Sequence, residues 1–250
     1  MSLTTQQKEQ MRRDGYLILP NAVPRERIDA ALHAVYHAMG KGIPADQLTT
    51  WQSQSFFPDI ARSPVVADLM NQSDLWPACA ELLGEENVSQ PNGGQLALRF
   101  PREPGAEARP PGPHVDGMHS PHNGVPKGTL ASFSALAGVF LTDVARPDAG
   151  NFSVWPGSHL LLSKYFEEHG AKSLLEENRL PPIEWPAPLQ IEAKAGDAVI
   201  CHHLLGHSVA ANVAPLPRFA VFFRLKHRDH DAHRVEVLTD LWRDWPGLNS

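Results

Sequence analysis

The sequence predicts an α+β chain, mainly β. Its core is expected to be a double-stranded β-helix (a jelly-roll, cupin-like barrel of two sheets), with N-terminal and inserted helices packed on one sheet. Three observations predict it. Helical periodicity fills the first third; short apolar or alternating segments follow from residue 93; and 23 prolines with 18 glycines are scattered as breaks rather than gathered in a linker. The expected organisation is a single domain over 1–250, with a mostly helical part at 1–92, the jelly-roll core at 93–226 and a charged, peripheral tail at 227–250.

The elements follow in order. Thr4 with Gln7 forms a capping-box pattern, and Gly15 ends the helix it opens. Tyr16 to Pro20 reads as a short strand. Arg25 to Gly40 is a helix after Pro24, with Ile28, Ala31, Leu32, Val35 and Met39 at helical spacing. Residues 41–62 are mixed; Trp51, Phe56 and Phe57 suit core packing better than a pocket wall. Ser63-Pro64 starts a helix through Met70, and another ends near Leu83-Gly84.

After Gly93-Gly94 the period changes to two. Leu96, Leu98 and Phe100 share one face of a strand, and Gln95, Ala97 and Arg99 share the other. Pro101 to Pro113 is a proline-dense loop. Strands are expected at Leu130–Val144, Phe152–Trp155, Leu189–Ala193, Ala198–His203 and Arg218–Lys226, with a helix around Lys164–Asn178.

Charge and composition exclude some functions. Net charge is −6 with no block of one sign, which argues against a nucleic-acid surface. Cys79 and Cys201 make neither a disulfide framework nor a paired-cysteine zinc motif, and a reducing cytoplasm is the matching expectation. The opening MSLTTQQKEQMRRDG is too polar for a secretory signal, and no apolar run reaches the roughly 20 residues of a membrane span. A small molecule is the expected partner, with no nucleic acid and no membrane.

The chemistry concentrates in His114-Val115-Asp116, His207 and Arg218. Two histidines and a carboxylate hold a non-haem Fe(II) on one face and leave other positions open. An arginine adds a fork for a carboxylate co-substrate. A lone His-x-Asp is weak: 13 His and 14 Asp produce about 0.7 such pairs by chance. His227-Arg228-Asp229 is a second one, in the charged tail, and is read as decoration. His202 and His203 compete with His207 as third ligand. His207 is favoured because it follows Gly206 where the strand ends, and because a hairpin through residues 213–217 would return the chain to Arg218.

These residues resemble the phytanoyl-CoA dioxygenase-like family of Fe(II)- and 2-oxoglutarate-dependent oxygenases. The resemblance rests on His114-x-Asp116, the stretch from Gly150 to His159, Gly196-Asp197, His207-x10-Arg218 and the opening Asp14–Pro20, and runs from about residue 10 to 226. It implies His114, Asp116 and His207 as iron ligands, Arg218 on the distal carboxylate of 2-oxoglutarate, Gln95 as a further co-substrate contact, and O2 as oxidant. Asn212 matches a position that is commonly Asn. Two departures stand out: Val209 where many relatives have Ser, and small residues at Ala135–Gly138 where some have Trp. Related halogenases replace the aspartate by a small residue; Asp116 is intact, which implies hydroxylation of an unactivated C–H with release of succinate and CO2.

Two alternatives stay open: a cupin-like metal enzyme that uses no 2-oxoglutarate, and a non-catalytic jelly-roll binding module. The loops 101–113 and 117–128 are lid candidates. Their Arg102, Arg109, His119, His122 and Lys127 are more commonly solvated than substrate-binding.

Overall fold

The computed structural model describes residues 2–103, 105–120 and 124–248; His122 lies outside them. The chain opens with α1 (Thr5–Asp14), β1 (Tyr16–Leu19) and α2 (Arg25–Gly40). The Thr4 capping box forms, with Gln7 N donating to Thr4 Oγ1 at 3.2 Å and Thr4 N to Gln7 Oε1 at 2.8 Å. Gly15 ends α1 at φ +78°, a left-handed turn that favours glycine. The helices α3 (Leu48–Ser53), α4 (Pro58–Ala61), α5 (Pro64–Asn71) and α6 (Leu75–Leu83) complete the helical first third. Ser63 sits at the start of α5 but does not cap it; its hydroxyl donates to Ile60 O, and Pro64 fixes the first turn instead.

The strands β2 (Gln95–Arg99), β3 (Ala135–Phe140), β4 (Phe152–Val154), β5 (Leu189–Gln190), β6 (Ala198–His202), β7 (His207–Val209) and β8 (Arg218–Leu225) build two antiparallel sheets. One runs β1-β6-β3-β8-β2, the other β5-β4-β7. Helices α1, α2, α5 and α6 pack on the outer face of the larger sheet, where Leu17, Leu19, Ile200, Val139, Val221 and Leu98 meet Met11, Ile28, Val35 and Leu69. Its inner face meets the smaller sheet through Tyr16, Phe140, Cys201, Phe222, Phe152 and Val154. This is the jelly-roll arrangement, with one sheet covered by helices and the space between the sheets left for a site.

Several boundaries differ from the sequence expectation. The third strand is only Ala135–Phe140, and Val144 makes an isolated bridge to Ala193. The inserted helix α7 covers Ser158–His169, not Lys164–Asn178, because Gly157 at φ +78° turns the chain straight into it; α8 (Lys172–Leu175) is a separate turn of helix. His207 and Arg218 do not lie on one hairpin. β7 pairs with β4 in the smaller sheet and β8 with β3 and β2 in the larger, so residues 210–217 carry the chain across the barrel.

The tail is not peripheral. Through α9 (His230–His233) and two 3-10 turns it returns Trp245 and Leu248 to the main core, both at most 1 % exposed. Trp242 packs there too, so apolar residues spaced among charges dock the segment. A buried polar set anchors it: Asp244 accepts from Ser134 Oγ and from His230 Nδ1, the latter at 2.6 Å, and His230 Nε2 lies 2.8 Å from Ser132 Oγ. Among the described residues no helix is long and apolar enough to cross a membrane.

His159, His202 and His203 lie buried beside this segment. Burial pushes His159 down to about 4 against the opposing Arg12 carbonyl and Asp14. Burial and then the His230 ring push His203 down to about 3, although Asp244 pulls the other way. A histidine with a depressed folded pKa binds more protons unfolded, so its neutral burial stabilises fully above the unfolded value near 6.5 and less as pH falls below it. Stability measured by urea melts is therefore expected to fall from pH 7 to pH 5. His203→Phe should flatten that slope by up to about 1.4 kcal/mol per pH unit, one proton's worth. An unchanged slope in this variant contradicts the assignment.

Candidate metal centre

The site begins with backbone. His114 N donates to His207 O at 2.9 Å and His207 N to His114 O at 3.0 Å, an isolated antiparallel bridge that sets the two residues directly opposite. Their rings follow, with centroids 4.3 Å apart. No regular strand runs under His114 and Asp116; His114 makes this single bridge, and Asp116 stands in a turn. Val115 points away into a separate apolar cluster with Leu130 and Leu204, which orients its two neighbours toward the barrel. Gly117 closes the turn at φ +85°, and a Cβ there would lie 2.7 Å from Ala131 backbone atoms, so only glycine fits this approach.

His207 Nδ1 donates to Leu205 O at 2.9 Å, which leaves Nε2 as the nitrogen turned toward Asp116. Asp116 Oδ1 lies 3.7 Å from His114 Nε2 and 3.9 Å from His207 Nε2. One ligand atom from each of the three residues falls within 4.8 Å of the others, the one such His/Cys/Asp/Glu group among the described residues. Adjacent ligands on an octahedral ion with bonds of about 2.1 Å stand about 3 Å apart, so contraction by roughly an ångström completes the set. His202 and His203 are buried elsewhere, with His202 Nε2 2.8 Å from Leu241 O. His227 and Asp229 are 4.0 Å apart and gather no third ligand among the described residues.

Electrostatics favour a cation here. Burial opposes ionisation of Asp116, yet His207, Arg224 and His114 outweigh it and hold the carboxyl below its ordinary value. Desolvation at the cavity wall, then His207, lowers His114, although 48 % of its side chain stays exposed; Asp116 partly offsets both. The site thus presents an anionic carboxylate and a neutral imidazole before any ion arrives.

A cavity of about 260 Å³ opens over these residues, with Gln95, Arg99, Phe152, Phe222 and Arg224 on its walls. Gln95 is where the sequence expects it. Arg218 is not on the wall: it is 1 % exposed and lies behind, donating Nε to Gly150 O at 2.7 Å and Nη1 to Ala97 O at 2.9 Å. Its Nη2 has no hydrogen-bond partner among the described residues. Burial, then the Arg99 charge, pushes Arg218 down to about 9. Arg99 is its cross-strand partner in the β2–β8 register and does face the cavity. Asn212 turns the chain, donating to Arg99 O and Leu216 O and accepting from Ala214 N.

A family model described as phytanoyl-CoA dioxygenase (PhyH) matches residues 11–220. The chain belongs to the phytanoyl-CoA dioxygenase family. Among solved structures it is similar to HygX from Streptomyces hygroscopicus, crystallised with nickel and 2-oxoglutarate, at 18% identity over 90% of this chain and 87% of that one, with a TM-score of 0.59. It is similar to EctD from S. alaskensis in its apoform at 21% identity over 90% and 77%, with a TM-score of 0.58. The alpha ketoglutarate dependent epimerase SnoN from nogalamycin biosynthesis aligns at 18% identity over 89% and 80%, with a TM-score of 0.50. These likenesses show a shared fold. No curated protein matches the chain.

Two residues at this site of the dioxygenase-family chain escaped the sequence reading. Arg99 was visible only as a member of the polar face of β2. Arg224 lies six residues after Arg218 on the same face of one strand, so parity alone brings it to the cavity. The small residues at Ala135–Gly138 also gain a reason: a Cβ on Gly138 would stand 2.6 Å from the Phe222 ring, which occupies the room a larger residue would take.

The electrostatic coupling is measurable without metal. Asp116→Asn removes the charge that favours protonated His114, so the His114 midpoint in an NMR pH titration should move lower still. A rise would show that the carboxylate does not face that ring.

Proposed function

We propose that this chain is an Fe(II)- and 2-oxoglutarate-dependent dioxygenase that hydroxylates an unactivated C–H bond of a small molecule, releasing succinate and CO2. His114, Asp116 and His207 hold the iron, Arg218 takes the distal carboxylate of 2-oxoglutarate, and Arg99 and Gln95 face the same co-substrate from the wall. The carrying observation is the pairing of the His-Asp-His group with a buried guanidinium whose Nη2 has no partner among the described residues. A buried cation without an anion is costly, and a dicarboxylate is the group whose two ends suit a metal and a guanidinium at once. HygX, of similar fold, has been crystallised with nickel and 2-oxoglutarate.

The bound iron and 2-oxoglutarate supply O2 activation and the oxidising power for C–H cleavage. The chain's own residues do the rest. His207 is oriented by its Nδ1 bond to Leu205 O, so Nε2 is the nitrogen it would give the metal. Asp116 is already ionised and contributes negative charge. Arg218 is held by two carbonyls, so its guanidinium is fixed in place before binding. Phe152 and Phe222 supply apolar wall against water. Hydroxylation rather than halogenation follows from Asp116, since halide would need the position its carboxylate fills.

Incubation with Fe(II), 2-oxoglutarate and O2 should release succinate, slowly even without substrate. Arg218→Lys keeps the charge but loses the fork, and should raise the 2-oxoglutarate requirement about 10- to 100-fold, the equivalent of one charge-assisted hydrogen bond. Absence of succinate under these conditions, or an unchanged requirement in the variant, contradicts the proposal.

A further inference from the structure

Arg224 is committed to the metal site by three contacts. Its Nε donates to Oδ2 of Asp116 at 3.0 Å, its Nη2 stands 2.8 Å from the same oxygen in an ion pair, and its Nη1 donates to Gln95 Oε1 at 2.8 Å. Oδ1 of Asp116, by contrast, faces His114 and His207. We propose that Arg224 is a positioning residue that occupies one oxygen of Asp116, so that the carboxylate gives the metal only the other, and that it links this ligand to the cavity where substrate binds. The inference rests on the dioxygenase reading above and adds a role for a residue outside its ligand set.

Counting positions shows why one oxygen matters. Three of six positions belong to the protein ligands, two to a chelating 2-oxoglutarate and one to O2. A carboxylate that closed on the ion with both oxygens would take a position needed by one of these. Val115 and Gly117 fix where the backbone of Asp116 stands, but not how many of its carboxylate oxygens reach an ion. The guanidinium does, because one hydrogen bond and the ion pair hold Oδ2, while Oδ1 is the oxygen near the imidazoles. The fork is itself seated, with its carbon 5.6 Å from the Phe133 ring centroid.

The link to substrate comes from the second cavity. A cleft of about 670 Å³, with Trp51, Arg62 and Asn92 among its walls, adjoins the metal cavity and shares Gln95, Phe222 and Arg224 with it. Gln95 spends its carbonyl oxygen on Arg224, which leaves its amide NH2 for a ligand. A polar group of a molecule in the cleft would meet the same residues that orient the ligand carboxylate.

The test uses the full chain as wild type, Arg224→Met, Arg224→Lys and Gln95→Leu. Anaerobic calorimetry first titrates Ni(II), then 2-oxoglutarate into the nickel-loaded protein. In Arg224→Met the nickel Kd is expected to stay within about threefold or tighten, since a second oxygen is released to the ion, while the 2-oxoglutarate Kd rises about 10- to 100-fold. Arg224→Lys and Gln95→Leu should fall between wild type and Arg224→Met. Unchanged 2-oxoglutarate affinity overturns the proposal, and so does parallel loss of both affinities, which marks a merely structural ion pair. If Arg224→Met fails to fold, unchanged 2-oxoglutarate binding in both milder variants overturns it equally. Wild type that binds nickel but not 2-oxoglutarate overturns the dioxygenase reading itself, before any variant is compared.

Discussion

Two hydrogen bonds between His114 and His207 hold this site together. They join a loop at His114 to His207, the first residue of β7 at the edge of the smaller sheet. A ligand set on long side chains would be loose; here the two backbones are locked within one bridge, so the imidazoles have little choice of place. Val115 and Gly117 extend the same constraint to Asp116, one by burying its side chain and the other by allowing a close turn against Ala131. The jelly roll matters because it delivers this bridge to the open end of the inter-sheet space.

Behind the bridge the chain keeps an unusual arrangement of charge. Arg99 and Arg218 are cross-strand neighbours and both are depressed by burial, Arg218 by Arg99 as well. Two cations side by side in a low-dielectric interior repel, and each pays desolvation. Gly150 O and Ala97 O compensate two of the Arg218 nitrogens, and the third has no hydrogen-bond partner among the described residues. Arg224 is treated differently, since Asp116 answers its charge directly. One strand, β8, therefore carries both an arginine held open and an arginine already paired, six residues apart on one face.

Much of this was readable from residues alone, for identifiable reasons. The capping box at Thr4, the stop at Gly15 and the alternation of Leu96 and Leu98 are local signals, and local signals survive without tertiary context. The His114, Asp116 and His207 group was legible because its residue types are rare in combination with a following arginine. The hairpin drawn from His207 to Arg218 failed because adjacency in sequence does not say which sheet a strand joins; the crossing at 210–217 is set by barrel closure, not by turn chemistry. The tail was misjudged because its charges mask Trp242, Trp245 and Leu248, whose i, i+3 spacing fits short 3-10 turns and not a longer element. Arg224 was hidden inside RFAVFFRLK, where an apolar run draws attention away from the parity that unites it with Arg218 and Phe222.

The most direct test is a crystal structure of the nickel and 2-oxoglutarate complex with the ion located by anomalous scattering. The account expects one ion within about 2.2 Å of Nε2 of His114, Nε2 of His207 and Oδ1 of Asp116, with the far carboxylate of the organic acid on Nη2 of Arg218. An ion bound elsewhere, or one that leaves either imidazole uncoordinated, would contradict it.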